Sequence, residues 1–167
     1  MHMSLKKITA AVLASAMLST PSFAEDVVTA KIIGMDLARD IVNATVKECR
    51  KMGYQVAAVV VDRGGNMKAA LRDDFAARFT LQIAEEKANM SIMSGINSGE
   101  FLKERQDIRP ELNHVDGIIV MRGGVIITSG GNRIGALGVS GAPGGDLDEA
   151  CALKALKTFE ERLEFAE

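Results

Sequence analysis

The sequence predicts an α+β domain in which helices pack on a mostly antiparallel sheet. Short apolar runs are paired through glycine-containing turns, and segments with helical spacing of apolar residues precede, separate and follow these pairs. Strands joined by such short turns must run antiparallel, because a parallel connection needs a crossover of a dozen or more residues. The predicted order of elements is α-β-β-α-(α)-β-β-β-α.

The first helix is predicted within residues 27–52. Its apolar side chains recur with a 3-4-3-4-3 spacing, which places them on one helical face. Gly53 follows as a residue suited to the left-handed conformation that commonly ends a helix. The stripe consists of Met35, Ala38, Val42, Thr45, Cys49 and Met52.

Two strands are then predicted as a hairpin. Residues 55–61 form a nearly continuous, valine-rich apolar run, which is typical of a buried strand. The sequence DRGGN at residues 62–66 has the composition of a turn, and it leads into a second strand at residues 67–71.

A second helix is predicted at about residues 76–94, with a short helix near residues 100–106. One face of the second helix carries mostly small side chains, which suits close packing on a sheet. Another face carries Phe79, Ile83 and Met90. Apolar residues on two faces indicate burial on both sides, either under a further layer or against another subunit. We therefore expect at least a dimer.

Three more strands are predicted at residues 118–121, 125–128 and 134–139. The sequence Arg-Gly-Gly at residues 122–124 would join the first two as a hairpin, because glycine adopts positive φ without steric cost. These runs carry almost no side chain able to do chemistry, so we expect them to form the structural framework of the domain.

The last helix is predicted to follow a D-x-x-E sequence, Asp146 to Glu149, which has the pattern of a capping box. Its apolar face carries Cys151, and the apolar face of the first helix carries Cys49. In an exported protein these cysteines could form a disulfide that joins the two helices. Two buried free thiols are the other interpretation, and the sequence leaves both open.

The N-terminus has the features of a secretory signal peptide at residues 1–24. A pair of lysines precedes an apolar run at residues 8–18, and Ser22-Phe23-Ala24 supplies small residues at a cleavage site. We expect residues 25–167 to form one mature domain, exported to the periplasm or secreted. No later apolar run reaches the roughly 18 residues that a membrane helix needs, so no membrane span is expected.

Composition narrows the choice of partners. The chain has a formal net charge of −2, 4% aromatic residues and no tryptophan. No basic patch with interleaved aromatic residues is visible, so nucleic acid is not an expected partner. Histidine is scarce, since His114 is the only one outside the predicted signal peptide. This argues against the usual zinc sites, and without a C-x-x-C-H sequence covalent c-type haem attachment is excluded.

His114 and several arginines are candidate site residues. His114 lies in a predicted loop, where it is either an ordinary surface histidine or an axial iron ligand or proton donor. Arginines beside the loops could bind carboxylates or haem propionates, although scattered surface arginines are common. These arginines are Arg72, Arg105, Arg109, Arg122 and Arg133.

Three stretches together resemble the GlcG/HbpS-type haem-binding family, also described as haem-degrading and related to the C-terminal domain of PduO. They are VVVDRGGNMKAALR at residues 59–72, AARFTLQIAEEKANMS at residues 76–91 and GGVIITSGGNRIGALGVSGAPGGDLDEACALKAL at residues 123–156. The resemblance covers essentially all of residues 25–167. One departure is that residues 120–126 lack both prolines of the family's L-P-G-G-V-P segment.

The resemblance implies a five-stranded antiparallel sheet of profilin-like appearance, assembly into homo-oligomers and, in some members, non-covalent haem binding. The first functional expectation is an exported haem-binding protein involved in haem or iron handling or in redox sensing. Binding is favoured over catalysis, with haem degradation as a further possibility, because no paired acid–base constellation is evident. The candidate residues are His114 as metal ligand and, around the cofactor, Met90, Met93, Arg72, Arg105 and Arg122.

Two other functions stay open. The protein could be an enzyme or binding protein for a small organic acid or catabolic by-product. In that case Arg72 and Arg105 would hold the carboxylate, and Asp62 or Asp73 would move a proton. Alternatively, it could be a non-catalytic oligomeric scaffold, which the apolar second face of the second helix suggests.

Overall fold

The computed structural model describes residues 27–165. It consists of a four-stranded antiparallel sheet with helices on both faces. The strands are β1 (Ala57–Asp62), β2 (Met67–Arg72), β3 (Gly124–Ser129) and β4 (Asn132–Ser140), in the spatial order β2-β1-β4-β3. The helices are α1 (Met35–Lys51), α2 (Thr80–Ser94), α3 (Ser98–Glu104), α4 (Arg109–Leu112), α5 (Gly145–Lys157) and α6 (Glu160–Glu164). The α+β class and the antiparallel pairing are confirmed. The predicted signal peptide lies outside the described residues.

Alternate residues of β1 pack on opposite faces of the sheet. Ala58 and Val60 join the apolar cluster formed with α1 and α5, whereas Val59 and Val61 join the cluster formed with α2. Successive side chains of a strand point to opposite faces, so a strand covered on both sides is apolar throughout. All six residues of β1 are buried, as the continuous apolar run predicted.

A disulfide joins the first helix to the helix that follows the sheet. Cys49 of α1 and Cys151 of α5 are bonded, with their Cα atoms 5.3 Å apart. Both residues lie on the buried faces of their helices, where the apolar spacing placed them. The disulfide therefore answers the question that the sequence left open. Gly53, with φ of +87°, follows the end of α1 as predicted.

Residues 118–121 are not a strand, which corrects the prediction of five strands. They run beside α2, where the amide of Ile119 donates a hydrogen bond to the carbonyl of Glu86 over 3.4 Å. Val120 is buried with Met90 and Phe101. A helix-covered segment of this kind has the same apolar composition as a short buried strand, and four residues are too few to tell the two apart.

The turn between β3 and β4 also differs from the prediction. Arg-Gly-Gly at residues 122–124 leads the chain into β3 and is not a hairpin turn. The hairpin uses Gly130 and Gly131, both of which have positive φ. The sheet is thus built from two hairpins that meet through β1 and β4.

The second apolar face of α2 is covered only in part. Met90 is fully buried under α3 and the segment before β3, so a further layer covers this residue. Phe79 is 56% exposed, and nearby Phe75 is 86% exposed. The expected contact with another subunit stays a prediction, and it now depends on these two phenylalanines. Within the described part of the chain, no helix is both long and apolar enough to cross a membrane.

Candidate functional site

A surface cleft of about 340 Å³ opens where the segment before β3 meets the N-terminus of α5. We call it the α5 cleft. Its side chains combine an apolar wall with two guanidinium groups and one carboxylate. This combination suits a ligand that is apolar over most of its surface and anionic at one end. The cleft is lined by Leu102, Arg109, Val120, Met121, Arg122, Gly145 and Asp146.

Another cleft of similar volume has the opposite charge. It measures about 360 Å³ and lies between the β3–β4 turn and α6. Glu160 and Glu164 line it, together with Leu163. Two carboxylates would repel an anionic ligand, so the α5 cleft is the better candidate for such a ligand.

The start of α5 lines the α5 cleft, and the first-turn carboxylate of Asp146 offsets part of the positive partial charge that its N–H groups supply. This helix is 13 residues long, and Gly144 is its N-cap without a side-chain hydrogen bond. The unpaired N–H groups of a helix N-terminus attract anions. The capping box predicted from Asp146 and Glu149 is therefore wrong. The physical reason is that α5 begins at Gly145, two residues earlier than a cap at Asp146 would require.

A fully buried ion pair joins α5 to α2 beside the cleft. Lys87 Nζ donates hydrogen bonds to Asp148 Oδ2 over 2.7 Å and to the carbonyl of Val139 over 2.9 Å. Asp148 Oδ1 accepts a further hydrogen bond from the amide of Ala142 over 2.9 Å. Lys87 and Asp148 are 1% and 2% exposed. Because α2 and α5 pack on opposite faces of the sheet, this pair ties the two helical layers together.

The electrostatics of this pair are set by burial. Burial raises the pKa of the Asp148 carboxyl above its ordinary value of 3.8, and the neighbouring Lys87 ammonium opposes the increase. Removing two charges from water is costly, and their attraction repays this only when the remaining hydrogen bonds are also made. The bonds to Val139 and Ala142 meet that condition.

Glycines allow the chain to pack closely around the ion pair. Gly123 has φ of +114°, and a Cβ at this position would lie 3.0 Å from the Cβ of Asp148 and 3.1 Å from Lys87 Nζ. A Cβ on Gly124 would lie only 2.1 Å from the carbonyl oxygen of Lys87. The glycines at residues 123 and 124 are therefore needed for the approach of α2, and not for a turn.

Arg122 is held in the α5 cleft by Glu149. Its Nε donates a hydrogen bond to Glu149 Oε2 over 2.9 Å. A Cβ on Gly99 of α3 would lie 2.3 Å from that carboxylate oxygen, so α3 passes directly over the pair. Within residues 27–165, Nε is the only atom of this guanidinium with a hydrogen bond, which leaves its two Nη groups for a ligand.

Among the arginines marked as candidate site residues from the sequence, Arg109 and Arg122 line the cleft, whereas Arg72 and Arg105 lie elsewhere. Arg72 donates a hydrogen bond to the carbonyl of Ala76, and Arg105 forms a salt bridge with Asp107 over 3.0 Å. Both of these guanidinium groups are therefore used in local contacts.

The predicted iron ligands are spread over the molecule. Met90 is 0% exposed, and Met93 is 49% exposed at the end of α2. His114 is exposed and follows α4 by two residues. In the part of the chain that the structure describes, no three His, Cys, Asp or Glu side chains are grouped as they would be around a metal ion.

The two aspartates considered as proton carriers have structural contacts. Asp62 accepts hydrogen bonds from the amides of Gly64 and Asn66; burial alone would raise its pKa, but these bonds lower it below 3.8. Asp73 accepts a hydrogen bond from Arg50 Nε over 2.7 Å, which lowers its pKa. Both carboxylates are thus ionised at neutral pH, and neither lines the α5 cleft.

Sequence reasoning missed three residues of this region, Lys87, Met121 and Asp148, and gave Glu149 only a role in a capping box. A signal for Lys87 was present, because it lies in A-x-x-K-A on the small-residue face of α2. A lysine among small residues on a face that packs against a sheet must be buried, and a buried ammonium needs a carboxylate partner. The sequence alone could not say which carboxylate.

The sequence that forms this fold matches a known family. Residues 33–157 match the family described as haem degrading protein HbpS-like. The chain belongs to this HbpS-like family.

Solved structures agree with this assignment. A double mutant of HbpS from Streptomyces reticuli is 29% identical over 86% of this chain and 97% of its own, with a TM-score of 0.74. The Klebsiella pneumoniae protein ORFY is 27% identical over 86% of this chain and 100% of its own, with a TM-score of 0.76. A PduOC:heme complex is 22% identical over 78% and 96%, with a TM-score of 0.69, and shows the shared fold alone. No curated protein has significant sequence similarity to the chain.

Proposed function

We propose that the protein binds haem non-covalently in the α5 cleft. The family is described as haem-degrading, and a protein of the same fold has been crystallised with haem. The observation that carries the proposal is the α5 cleft itself, where Arg109, Arg122 and a helix N-terminus adjoin an apolar wall. This donor set fits a macrocycle with two carboxylates on one edge.

Each part of the cleft has a role in this proposal. The Nη groups of Arg122 bind a propionate, while Glu149 keeps the guanidinium in place. Arg109 would contact the second propionate, and Leu102, which packs against the buried Val120, would contact the porphyrin. Haem itself would supply a redox-active iron centre. The cleft is open and holds only part of a macrocycle, so one edge of the haem would face solvent or a second subunit.

We favour a binding role in haem or iron handling, or in redox sensing, over haem degradation. The ionisable side chains that line the cleft are two guanidinium groups and one carboxylate, which do not form a donor–acceptor pair for proton transfer. The buried carboxylate of Asp148 is already engaged by Lys87.

We also propose export to the periplasm or beyond the cell. The N-terminal sequence has the charged start, apolar run and small-residue cleavage site of a signal peptide. The disulfide between Cys49 and Cys151 supports this location, because disulfides persist in oxidising compartments. Edman sequencing of the protein recovered from an exporting host would read Glu25 as the first residue. An intact N-terminus on cytoplasmic protein would contradict the proposal.

Titration with hemin tests the binding function. The Soret band should shift and saturate at about one haem per one or two chains, unlike a protein-free control. Leu102→Glu places a carboxylate beside the propionates, and we expect at least tenfold weaker binding from charge repulsion. Leu153→Glu, at an exposed leucine of α5 outside the cleft, is the matched control and should bind like the wild type. A wild-type spectrum identical to free hemin would refute haem binding.

A small organic acid is the second candidate ligand. The two arginines and the start of α5 are sufficient to hold a carboxylate without any porphyrin. This alternative predicts that a small dicarboxylate such as succinate raises the melting temperature and that Arg122→Ala removes the effect. If hemin binds and succinate leaves the melting temperature unchanged, this alternative is excluded.

We further propose that the protein forms at least a dimer through Phe75 and Phe79. Exposed aromatic side chains on neighbouring residues are typical of contact surfaces. Light scattering at micromolar concentration should give at least twice the monomer mass. The double variant Phe75→Ser, Phe79→Ser should shift the mass toward the monomer, whereas a monomeric wild type would disprove the assembly. Assembly of the wild type without any response to hemin or succinate would instead favour a scaffold.

A further inference from the structure

The α5 cleft contains few atoms that can bind iron. Leu102 and Val120 offer no donor, and the guanidinium groups of Arg109 and Arg122 remain protonated and act only as hydrogen-bond donors. Two candidate ligands remain among the lining side chains: the thioether of Met121 and the carboxylate of Asp146.

The carboxylate of Asp146 is turned toward the start of α5. Its Oδ1 is only 2.4 Å from where a Cβ on Gly144 would be, so the side chain folds back over the N-cap. Asp146 is in the first turn of α5, where the helix dipole attracts a negative charge. This carboxylate therefore compensates the helix N-terminus and is poorly placed to face the macrocycle.

The side chain of Met121, in contrast, is accessible in the α5 cleft. Its side chain is 40% exposed between the buried Val120 and the arginine that binds the propionate. A methionine sulfur is an established axial ligand of haem iron, and its flexible side chain adapts to the position of the metal. We infer that Met121 supplies an axial ligand to haem in the α5 cleft, an inference that rests on the proposed haem binding.

The other sulfur and nitrogen candidates are less well placed. Met90 is 0% exposed behind Phe101 and Val120, and Met93 is exposed but does not line the cleft. His114 is likewise outside the lining residues. The sequence could not rank these side chains, because Met121 was predicted to lie in a strand.

The adjacency of Met121 and Arg122 has a geometric consequence. Their Cα atoms are about 3.8 Å apart, as for any consecutive residues. The iron ligand and the propionate contact would therefore come from neighbouring side chains of one segment. Glu149 holds Arg122 through a hydrogen bond, and a haem bound to Arg122 would lie beside Met121.

A thioether is a soft ligand and stabilises ferrous iron relative to ferric iron. Replacing Met121 should therefore weaken the binding of reduced haem more than that of oxidised haem. A tenfold change in the ratio of the two affinities corresponds to about 59 mV in the midpoint potential of this one-electron couple.

The test compares Met121→Leu with Met93→Leu and His114→Ala, using hemin titrations of the oxidised and dithionite-reduced protein and spectroelectrochemistry. Met121→Leu keeps the apolar volume, so hemin should still bind within about threefold of the wild type through the propionate contacts. We expect its ferrous affinity to fall tenfold relative to the ferric affinity and its midpoint potential to fall by about 59 mV. Met93→Leu should match the wild type.

Two results would overturn the inference while leaving the proposed haem binding in place. Met121→Leu could give the spectrum and potential of the wild type, in which case Met121 is not a ligand although haem binding stands. His114→Ala could instead produce the spectral change, which would assign the ligand to the histidine. If the wild type fails to bind hemin in either oxidation state, the proposed function and this inference are both refuted. Circular dichroism of each variant confirms that the fold is retained.

Discussion

The sequence Arg-Gly-Gly occurs at residues 63–65 and again at residues 122–124, in two different structural settings. In the first copy, the preceding Asp62 accepts hydrogen bonds from the amides of Gly64 and Asn66 over 2.8 and 3.0 Å. The turn is therefore held by its own side chain. In the second copy, Met121 takes the place of the aspartate, and no such local acceptor precedes the glycines.

The second copy is held by distant parts of the chain. The backbone of α2 and the Lys87–Asp148 pair approach Gly123 and Gly124 more closely than any side chain would allow. The comparison shows that the same tripeptide forms a turn where a nearby side chain accepts its amide hydrogen bonds. It forms a packing contact where the backbone of another element approaches its glycines. It also explains why Arg122, and not Arg63, is positioned in the α5 cleft.

The largest expected difference between the two copies comes from their carboxylates. Asp148→Ala leaves the Lys87 ammonium buried and unpaired, which should lower the free energy of unfolding by about 3–5 kcal/mol. Asp62→Ala at the first copy should cost only about 1–2 kcal/mol, because water can reach the turn amides. Guanidinium chloride unfolding at neutral pH measures both.

A control separates the charge from the packing at this position. The double variant Lys87→Met, Asp148→Leu removes both charges at similar volume and should recover most of the lost stability. If Asp148→Ala and Asp62→Ala are equally destabilising, the buried pair is not the long-range link that we describe.

A smaller difference is expected for the glycines. A Cβ on Gly124 would meet the Lys87 carbonyl oxygen at 2.1 Å, so Gly124→Ala should cost about 3 kcal/mol by overpacking. At Gly64 the nearest atoms belong to the side chains of Asn66 and Asp62, at 3.0 and 3.2 Å, and these can move. Gly64→Ala should therefore cost about 1 kcal/mol or less. Thermal unfolding of the two variants would contradict the comparison if it ranked them in the reverse order.

The smallest expected effect is a difference in pH dependence. The folded-state pKa of Asp62 is lowered, so its stabilising contribution is present above its ordinary pKa of 3.8 and is lost as the pH falls further. The stability gap between the wild type and Asp62→Ala should narrow in acid. The folded-state pKa of Asp148 is raised, so this group lowers stability as the pH rises from 3.8 to its folded-state pKa. Denaturation curves between about pH 2 and 7 test the sign, and a gap for Asp62→Ala that widens in acid would contradict it.

Local patterns predicted the parts of the fold that depend on nearby residues. The buried β1 followed from its continuous apolar run, and the first hairpin followed from its turn sequence. The longer helices α1, α2 and α5 followed from their spacing, with α2 beginning four residues later than expected, whereas the short helices α4 and α6 were not predicted. In each of these elements, the residues that determine the structure lie within a few positions of one another.

Features that depend on distant residues were not predictable. Lys87 and Asp148 are 61 residues apart, and Cys49 and Cys151 are 102 residues apart. Residues 118–121 were predicted as a strand from their apolar run. The local pattern does not reveal that their burial comes from α2 and α3. The candidate site also depends on distant residues. The sequence marked Arg122 because arginines bind carboxylates, but the cleft forms only where α3, α4, α5 and the segment before β3 meet.

Binding of hemin to Arg122→Ala and Arg63→Ala tests the central claim most directly, because both arginines precede a pair of glycines. Loss of a charge-assisted hydrogen bond to a propionate costs about 1.5–3 kcal/mol, so Arg122→Ala should bind hemin at least tenfold more weakly. Arg63→Ala should match the wild type, and hemin dimethyl ester, which lacks the carboxylate charges, should not distinguish the two variants. Equal hemin affinity of both variants and the wild type would contradict the assignment of haem to the α5 cleft.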